Sequence, residues 1–152
     1  MMTQPSTARI LDVVRQELAE NVLPVTTDVQ AQASLQMIDH ILATVAVRAQ
    51  HEIAWMVEEG DAIGALGDQI LTAEPQATAV ATALAALRAA PLTSLHYDDV
   101  AARYSLAGEV LSCAFEDVPT DAPLRAAVEA QLDQRMQHEV EIMGEFELVA
   151  RT

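Results

Sequence analysis

Four histidines and a single tryptophan are the side chains of this sequence best suited to binding or catalysis. Two of the histidines and the tryptophan fall in a stretch with helical periodicity, where a step of about 100° per residue gathers polar side chains on one side. This set, called the polar face below, consists of Gln36, His40, Thr44, Arg48, His51 and Trp55. Such a face is typical of a pocket wall or of a docking surface anchored by the tryptophan. The alternative is a solvated helix face on which a neighbouring helix half-covers Trp55.

Metal binding is a sharper hypothesis for a helical chain with four histidines. Di-iron bundles carry Glu-x-x-His on each of two helices, because this spacing turns both ligands inward. No glutamate stands three residues before any of the histidines, so the motif is absent. A metal site would therefore have to be assembled from different helices. Its candidate ligands are His51, Glu52, His96 and His138. We expect no bound metal and no other cofactor.

Nucleophilic catalysis finds little support in the sequence. The stretch from Ser94 to Asp99 collects a hydroxyl, an imidazole and carboxylates, but a capping serine followed by acidic residues in a first helical turn explains it. Cys113 lies between Leu111 and Phe115, where no cation or helix N-terminus lowers the pKa of its thiol, so we expect it to be buried and inert. These observations predict a protein that is not an enzyme.

The formal net charge of −15, from 23 acidic and 8 basic residues, bounds the choice of partner. The basic residues are all arginines spread singly along the chain, so no basic patch offsets the repulsion of a phosphate backbone or an anionic membrane. We therefore expect no nucleic-acid and no membrane partner. A basic protein is electrostatically allowed, and such a complex would weaken with salt.

The length of the chain and its lack of targeting and membrane-spanning segments are also informative. The chain has 152 residues, the length of one ordinary domain, with no composition shift that suggests a linker. Residues 1–6 lack the basic and apolar layout of a signal peptide, and no window of about 18 residues is uninterruptedly apolar. We expect a bacterial cytoplasmic protein with one domain over residues 1–152, of which residues 1–5 are disordered.

A long second helix must carry the polar face. The first helix is predicted from Ser6 or Thr7 to about Leu23, and Pro24 breaks it. The second begins after a cap at 26–28 and continues for about 30 residues, until Gly60 ends it. Its predicted core stripe is Ile38, Ile41, Leu42, Val45, Ala49, Ile53 and Met56.

Shorter helices are predicted for the rest of the chain. Residues 61–71 form a weak helix, and the next helix has Pro75 in its first turn and runs to about Ala90. A further helix is capped by Thr93 or Ser94, and the last by Thr120 or Asp121. The apolar face of the former is Tyr97, Val100, Tyr104, Leu111 and Phe115. The apolar face of the latter is Val128, Leu132, Met136, Met143 and Phe146. The fold class is all-α, a single-domain bundle of four to five helices.

The N-terminal third resembles a bacterial helical family known only as a domain of unknown function. The resemblance lies in residues 10–18, in the Asn-Val-Leu-Pro element at 21–24 and in the long helix over 32–52, with a weaker likeness over 124–137. Members of that family are often encoded beside kinases of the aminoglycoside-phosphotransferase type and beside acyl-CoA dehydrogenases. The resemblance implies an accessory protein acting near a kinase-like partner, and it assigns no site residues.

Two functional hypotheses follow from these observations. The first is a non-enzymatic accessory or interaction protein, which binds a kinase-like or basic protein or a second copy of itself through a helical surface. The alternative is a small-molecule-binding or metal-binding bundle, with a site walled by His40, His51 and Trp55 and with catalysis left open. The missing motifs favour the first hypothesis.

Overall fold

The computed structural model describes residues 4–119 and 123–144, and within them the chain contains five α-helices and no strand. Helix α1 is Thr7–Glu17, α2 is Val29–Ala73, α3 is Thr78–Ala89, α4 is Tyr97–Asp117 and α5 is Arg125–Met143. The predicted all-α class is confirmed. None of the described helices is long and apolar enough to cross a membrane. The disorder predicted for residues 1–5 concerns 1–3, which lie outside the described residues, and Gln4 and Pro5, which are exposed.

Local sequence signals explain where α1 ends and α2 begins. The Ser6 side chain accepts a hydrogen bond from the backbone N–H of Arg9, so it caps α1 as predicted. A π turn at Leu18–Val22 and a 3-10 turn at Leu23–Val25 follow, and the latter contains Pro24, which cannot donate a backbone hydrogen bond. Asp28 Oδ1 then accepts from the N–H of Ala31 at 2.7 Å, at the start of α2.

Helix α2 has 45 residues and does not end at Gly60, in contrast to the prediction. Its buried positions continue past the glycine at helical spacing, with Ile63, Leu66 and Ile70 all at most 5% exposed. Burial of such side chains stabilises by about 1.5–3 kcal/mol each, against a glycine cost of about 1 kcal/mol. A Cβ at Gly67 would lie 3.2 Å from both methyls of Leu84, so this glycine allows close helix packing.

Two predictions about the later helices are wrong. Pro75 lies in the turn between α2 and α3, since α3 begins only at Thr78. Ser94 does not cap α4: His96 occupies the N-cap position, and Ser94 Oγ instead accepts from the His96 backbone N–H at 3.1 Å. The predicted capping residues of α5, at 120 and 121, and Phe146 lie outside the described residues.

The chain folds into two compact units. The unit formed by residues 53–138 contains a continuous core of side chains from four helices. Its buried members are Ile63, Leu66, Ile70, Val80, Leu84, Leu87, Ala107, Val110, Leu111, Ala114, Val118 and Val128. Of the apolar faces predicted for α4 and α5, Tyr97, Phe115, Met136 and Met143 are exposed instead, because they lie at the edges of these faces.

The other unit contains residues 1–52 and 139–152. Arg15 of α1 donates from Nε to Asp39 of α2 at 2.8 Å, and from Nη2 at 3.2 Å, so a bidentate ion pair joins the two helices. The described hydrophobic residues that are buried here are few, namely Ala46 and Ile142.

The core stripe predicted for α2 is wrong in this unit. Ile38, Ile41 and Val45 are 43%, 51% and 41% exposed, whereas Ala46 is buried and Leu42 half-buried. The first half of α2 has apolar residues around most of its circumference, so periodicity alone selects the wrong side. Asp39, the residue after Ile38, faces helix α1, where it pairs with Arg15.

Candidate functional site

The residues of the polar face predicted on α2 differ in how far they are exposed. Gln36 and Arg48 are exposed, whereas His40, Thr44, His51 and Trp55 are half-buried. Arg48 forms an ion pair with Glu52, one turn further on, at 3.3 Å. Thr44 Oγ1 donates to the His40 backbone carbonyl at 3.1 Å, which is an ordinary contact within a helix. The six residues therefore do not form one open surface.

Trp55 contacts a cluster of hydrogen-bonded polar side chains in the unit formed by residues 53–138. Its indole stacks on the imidazole of His138, with ring centroids 4.3 Å apart and planes 5° from parallel. Trp55 comes from α2 and His138 from α5, so the stack joins helices that are distant in sequence.

Glu59 lies one turn beyond Trp55 and is buried, with 3% of its surface exposed. Its Oε1 lies 2.5 Å from Nδ1 of His138, and its Oε2 accepts from the Tyr104 hydroxyl at 2.5 Å. Arg135 lies 3.9 Å from Oε2 through its Nε, and the same Nε donates to the Tyr104 oxygen at 2.6 Å. The buried carboxylate is thus surrounded by donors from α4 and α5, as a buried charge requires.

The electrostatics of the cluster favour a neutral Tyr104. Burial raises the pKa of its hydroxyl to about 12, and the hydrogen bond to Glu59 acts in the same direction. The Arg135 guanidinium, which stacks 4.4 Å from the Tyr104 ring centre, opposes this shift. Tyr104 therefore serves as a hydrogen-bond donor at neutral pH.

A carboxylate that holds Nδ1 of a histidine is one half of a nucleophile-activating arrangement. Within the described residues, His138 has Glu59 as its hydrogen-bond partner and Trp55 as its ring partner, so no hydroxyl or thiol is hydrogen-bonded to the imidazole. Cys113, the single cysteine, has a thiol whose pKa is raised by burial and by nearby acids, Asp117 foremost. The cluster is therefore suited to holding α2, α4 and α5 together.

The candidate metal ligands are not gathered into one site. Within residues 4–119 and 123–144, no three His, Cys, Asp or Glu side chains are placed to share an ion. Of the four candidates, His138 has the buried carboxylate Glu59 as its partner, Glu52 is paired with Arg48, and His96 is exposed at the N-cap of α4.

Sequence reasoning missed Glu59, Tyr104 and Arg135. The available signal was the spacing of His51, Trp55 and Glu59, which stand four residues apart along α2. Arg135 interacts with Tyr104 and Glu59, 31 and 76 positions away in sequence, so helical spacing within α5 gives no sign of these contacts. Comparison with known proteins adds no relative, since no family model, no curated protein and no solved structure matches this chain.

Proposed function

We propose that this chain is a non-enzymatic interaction protein that associates with a second copy of itself through the first half of α2. The observation that carries the proposal is the exposure of Ile38, Ile41 and Val45 on one side of that helix. Their spacing of three and four residues is the spacing of a helix–helix seam. Single exposed aliphatic residues need no explanation, but a row of three on one helix is a candidate interface.

Helix α1 also exposes apolar side chains in the same unit. Ile10, Val13 and Val14 are each more than 40% exposed, although Leu11 and Leu18 of the adjacent turns are half-buried. Between them, the two helices of this unit expose more large aliphatic side chains than they bury. A second copy would remove these side chains from water, with a gain of about 25 cal/mol per Å² of apolar surface buried.

Charge indicates why the occupant is a second copy. The chain carries −15 overall, so two copies repel each other over most of their surface. The segment from Val29 to Gln50 is the exception: its charged residues are Asp39 and Arg48, of opposite sign. Two copies can approach there without like-charge repulsion, and a twofold axis would place the same residues on both sides. A basic partner would instead be expected at an acidic surface.

The test is the mass of the full chain in solution, measured by light scattering and by sedimentation over a range of concentrations. We expect a dimer, and we expect Ile41→Glu to weaken it at least about tenfold, because each copy would then bury a carboxylate. Gln36→Glu is the matched control: it adds the same charge at an exposed position about 140° around α2. A monomer at every concentration, or equal masses for the two variants, would refute the proposal.

A further inference from the structure

Charge is distributed unevenly along α2, the helix through which two copies are proposed to associate. Its first half, residues 29–50, carries one acid and one base, Asp39 and Arg48. Most of its second half belongs to the unit formed by residues 53–138, in which 13 acidic residues and 4 arginines give a net charge of −9. Because α2 is continuous over Val29–Ala73, the direction in which a second copy runs decides whether these acidic regions meet.

The exposed row on the first half of α2 does not by itself select a direction. Ile38, Ile41 and Val45 have polar residues at the same helical spacing on both sides, Ser34 before them and Arg48 after them. The apolar part is therefore central, and a second copy covers nearly the same apolar area whichever way it runs. Since the gain from apolar burial follows the buried area, the charges decide the direction.

A parallel second copy would bring the acidic regions together. The axes of two packed helices lie about 8–10 Å apart, which is close to the Debye length of about 8 Å at physiological ionic strength. The exposed Glu58 of one copy would lie at the level of Glu58 of the other, and Arg48 at the level of Arg48. Salt screens such pairs only in part at this distance, so a parallel pair is repulsive.

An antiparallel second copy separates the same charges. With a twofold axis that crosses the exposed row between Ile41 and Leu42, the two Glu58 residues lie about 50 Å apart along the helix axis, at 1.5 Å per residue. This distance is several Debye lengths, so their repulsion is screened. Ile38 of one copy lies at the level of Val45 of the other, so the apolar contact is retained.

We propose that the second copy binds antiparallel, with the twofold axis perpendicular to α2 near Ile41. This inference rests on the proposed self-association and adds the orientation of the partner, which that proposal leaves open. It places Ser34 of one copy near Ala49 of the other, because the two positions are equally far from the centre of the exposed row. Identical positions, such as Ser34 in both copies, would be about 22 Å apart along the axis.

The test is cross-linking between single cysteines in the full chain. The reagent is a bismaleimide with a spacer shorter than about 10 Å, the distance between the axes of packed helices. Cys113, the single cysteine of the chain, is first replaced by serine. Ser34→Cys and Ala49→Cys then change small exposed residues and leave Asp39 and Arg48 in place. We expect little cross-linked dimer from either variant alone, and several times more from an equimolar mixture of the two.

Light scattering on the same variants reports the dimer independently of its orientation. The Cys113→Ser chain is the control, and we expect it to remain dimeric without forming a cross-link. Efficient cross-linking of Ser34→Cys with itself would show a parallel dimer, which overturns the orientation and leaves the proposed self-association standing. A dimer whose mixture forms no cross-link would also overturn the orientation. A control that is monomeric at every concentration would instead refute the proposed function, and the orientation with it.

Discussion

Nδ1 of His138 lies 2.5 Å from Oε1 of Glu59, although the two residues are 79 positions apart in sequence. The contact joins α5 to the second half of α2, and the Tyr104 hydroxyl connects α4 to the same carboxylate. A buried carboxylate is costly to desolvate, and leaving its partly buried donors unpaired would add to the cost. The stability of the unit formed by residues 53–138 should therefore depend strongly on Glu59.

Replacing the carboxylate of Glu59 tests this dependence. We expect Glu59→Gln to lower the free energy of unfolding by about 2–4 kcal/mol, because Tyr104, Arg135 and His138 lose a charged acceptor. Urea denaturation followed by circular dichroism measures the change. Glu58→Gln, at the exposed neighbouring position, is the control and should stay within about 0.5 kcal/mol of the parent chain. Equal effects of the two substitutions would contradict the structural role given to Glu59.

The stack of His138 on Trp55 predicts a change in fluorescence. Trp55 is the single tryptophan, so its emission reports on this site alone. We expect His138→Ala to shift the emission to longer wavelength, because water then reaches the face of the indole that the imidazole covers. His96→Ala, which removes an exposed histidine, should leave the spectrum unchanged. An unshifted spectrum in folded His138→Ala protein would count against the stack.

Tyr104 predicts how stability changes at high pH. Burial and the bond to Glu59 raise the pKa of its hydroxyl from about 10 to about 12 in the folded chain. Between these values the unfolded chain releases the proton while the folded chain retains it, so the free energy of unfolding falls as pH rises. Below pH 10 the full contribution of the neutral hydroxyl is present.

The measurement is urea unfolding at several pH values between about 9 and 12, together with the phenolate absorbance of the folded chain. We expect Tyr104→Phe to reduce the loss of stability over this interval. Subtracting the absorbance of the variant, which retains Tyr97, isolates the titration of Tyr104. The sequence contains no lysine, so the interval is free of lysine titration. A Tyr104 midpoint near 10 would show that the hydroxyl is not held as described.

The local sequence was sufficient to predict the presence of the helices and the positions of several helix ends. Ser6 caps α1 and Pro24 interrupts the helical hydrogen bonding after it, because both effects act within a few residues of the chain. Gly60 was misjudged for a tertiary reason. A helix continues through a glycine when side chains beyond it are buried at helical spacing, and Ile63 and Ile70 pack into the core of residues 53–138.

The sequence by itself determined that this chain is all-α, acidic and without a nucleophile-and-base motif, since composition and 3.6-residue periodicity are properties of short segments. Only the tertiary structure decided which side of α2 is covered and which residues meet. Ile38 and Ile41 are exposed because α2 pairs with α1 through Asp39 and Arg15, and apolar residues on several sides of a helix do not specify its partner. Glu59 is buried because donors from α4 and α5 meet it, and no local pattern encodes a contact across 45 or 79 residues.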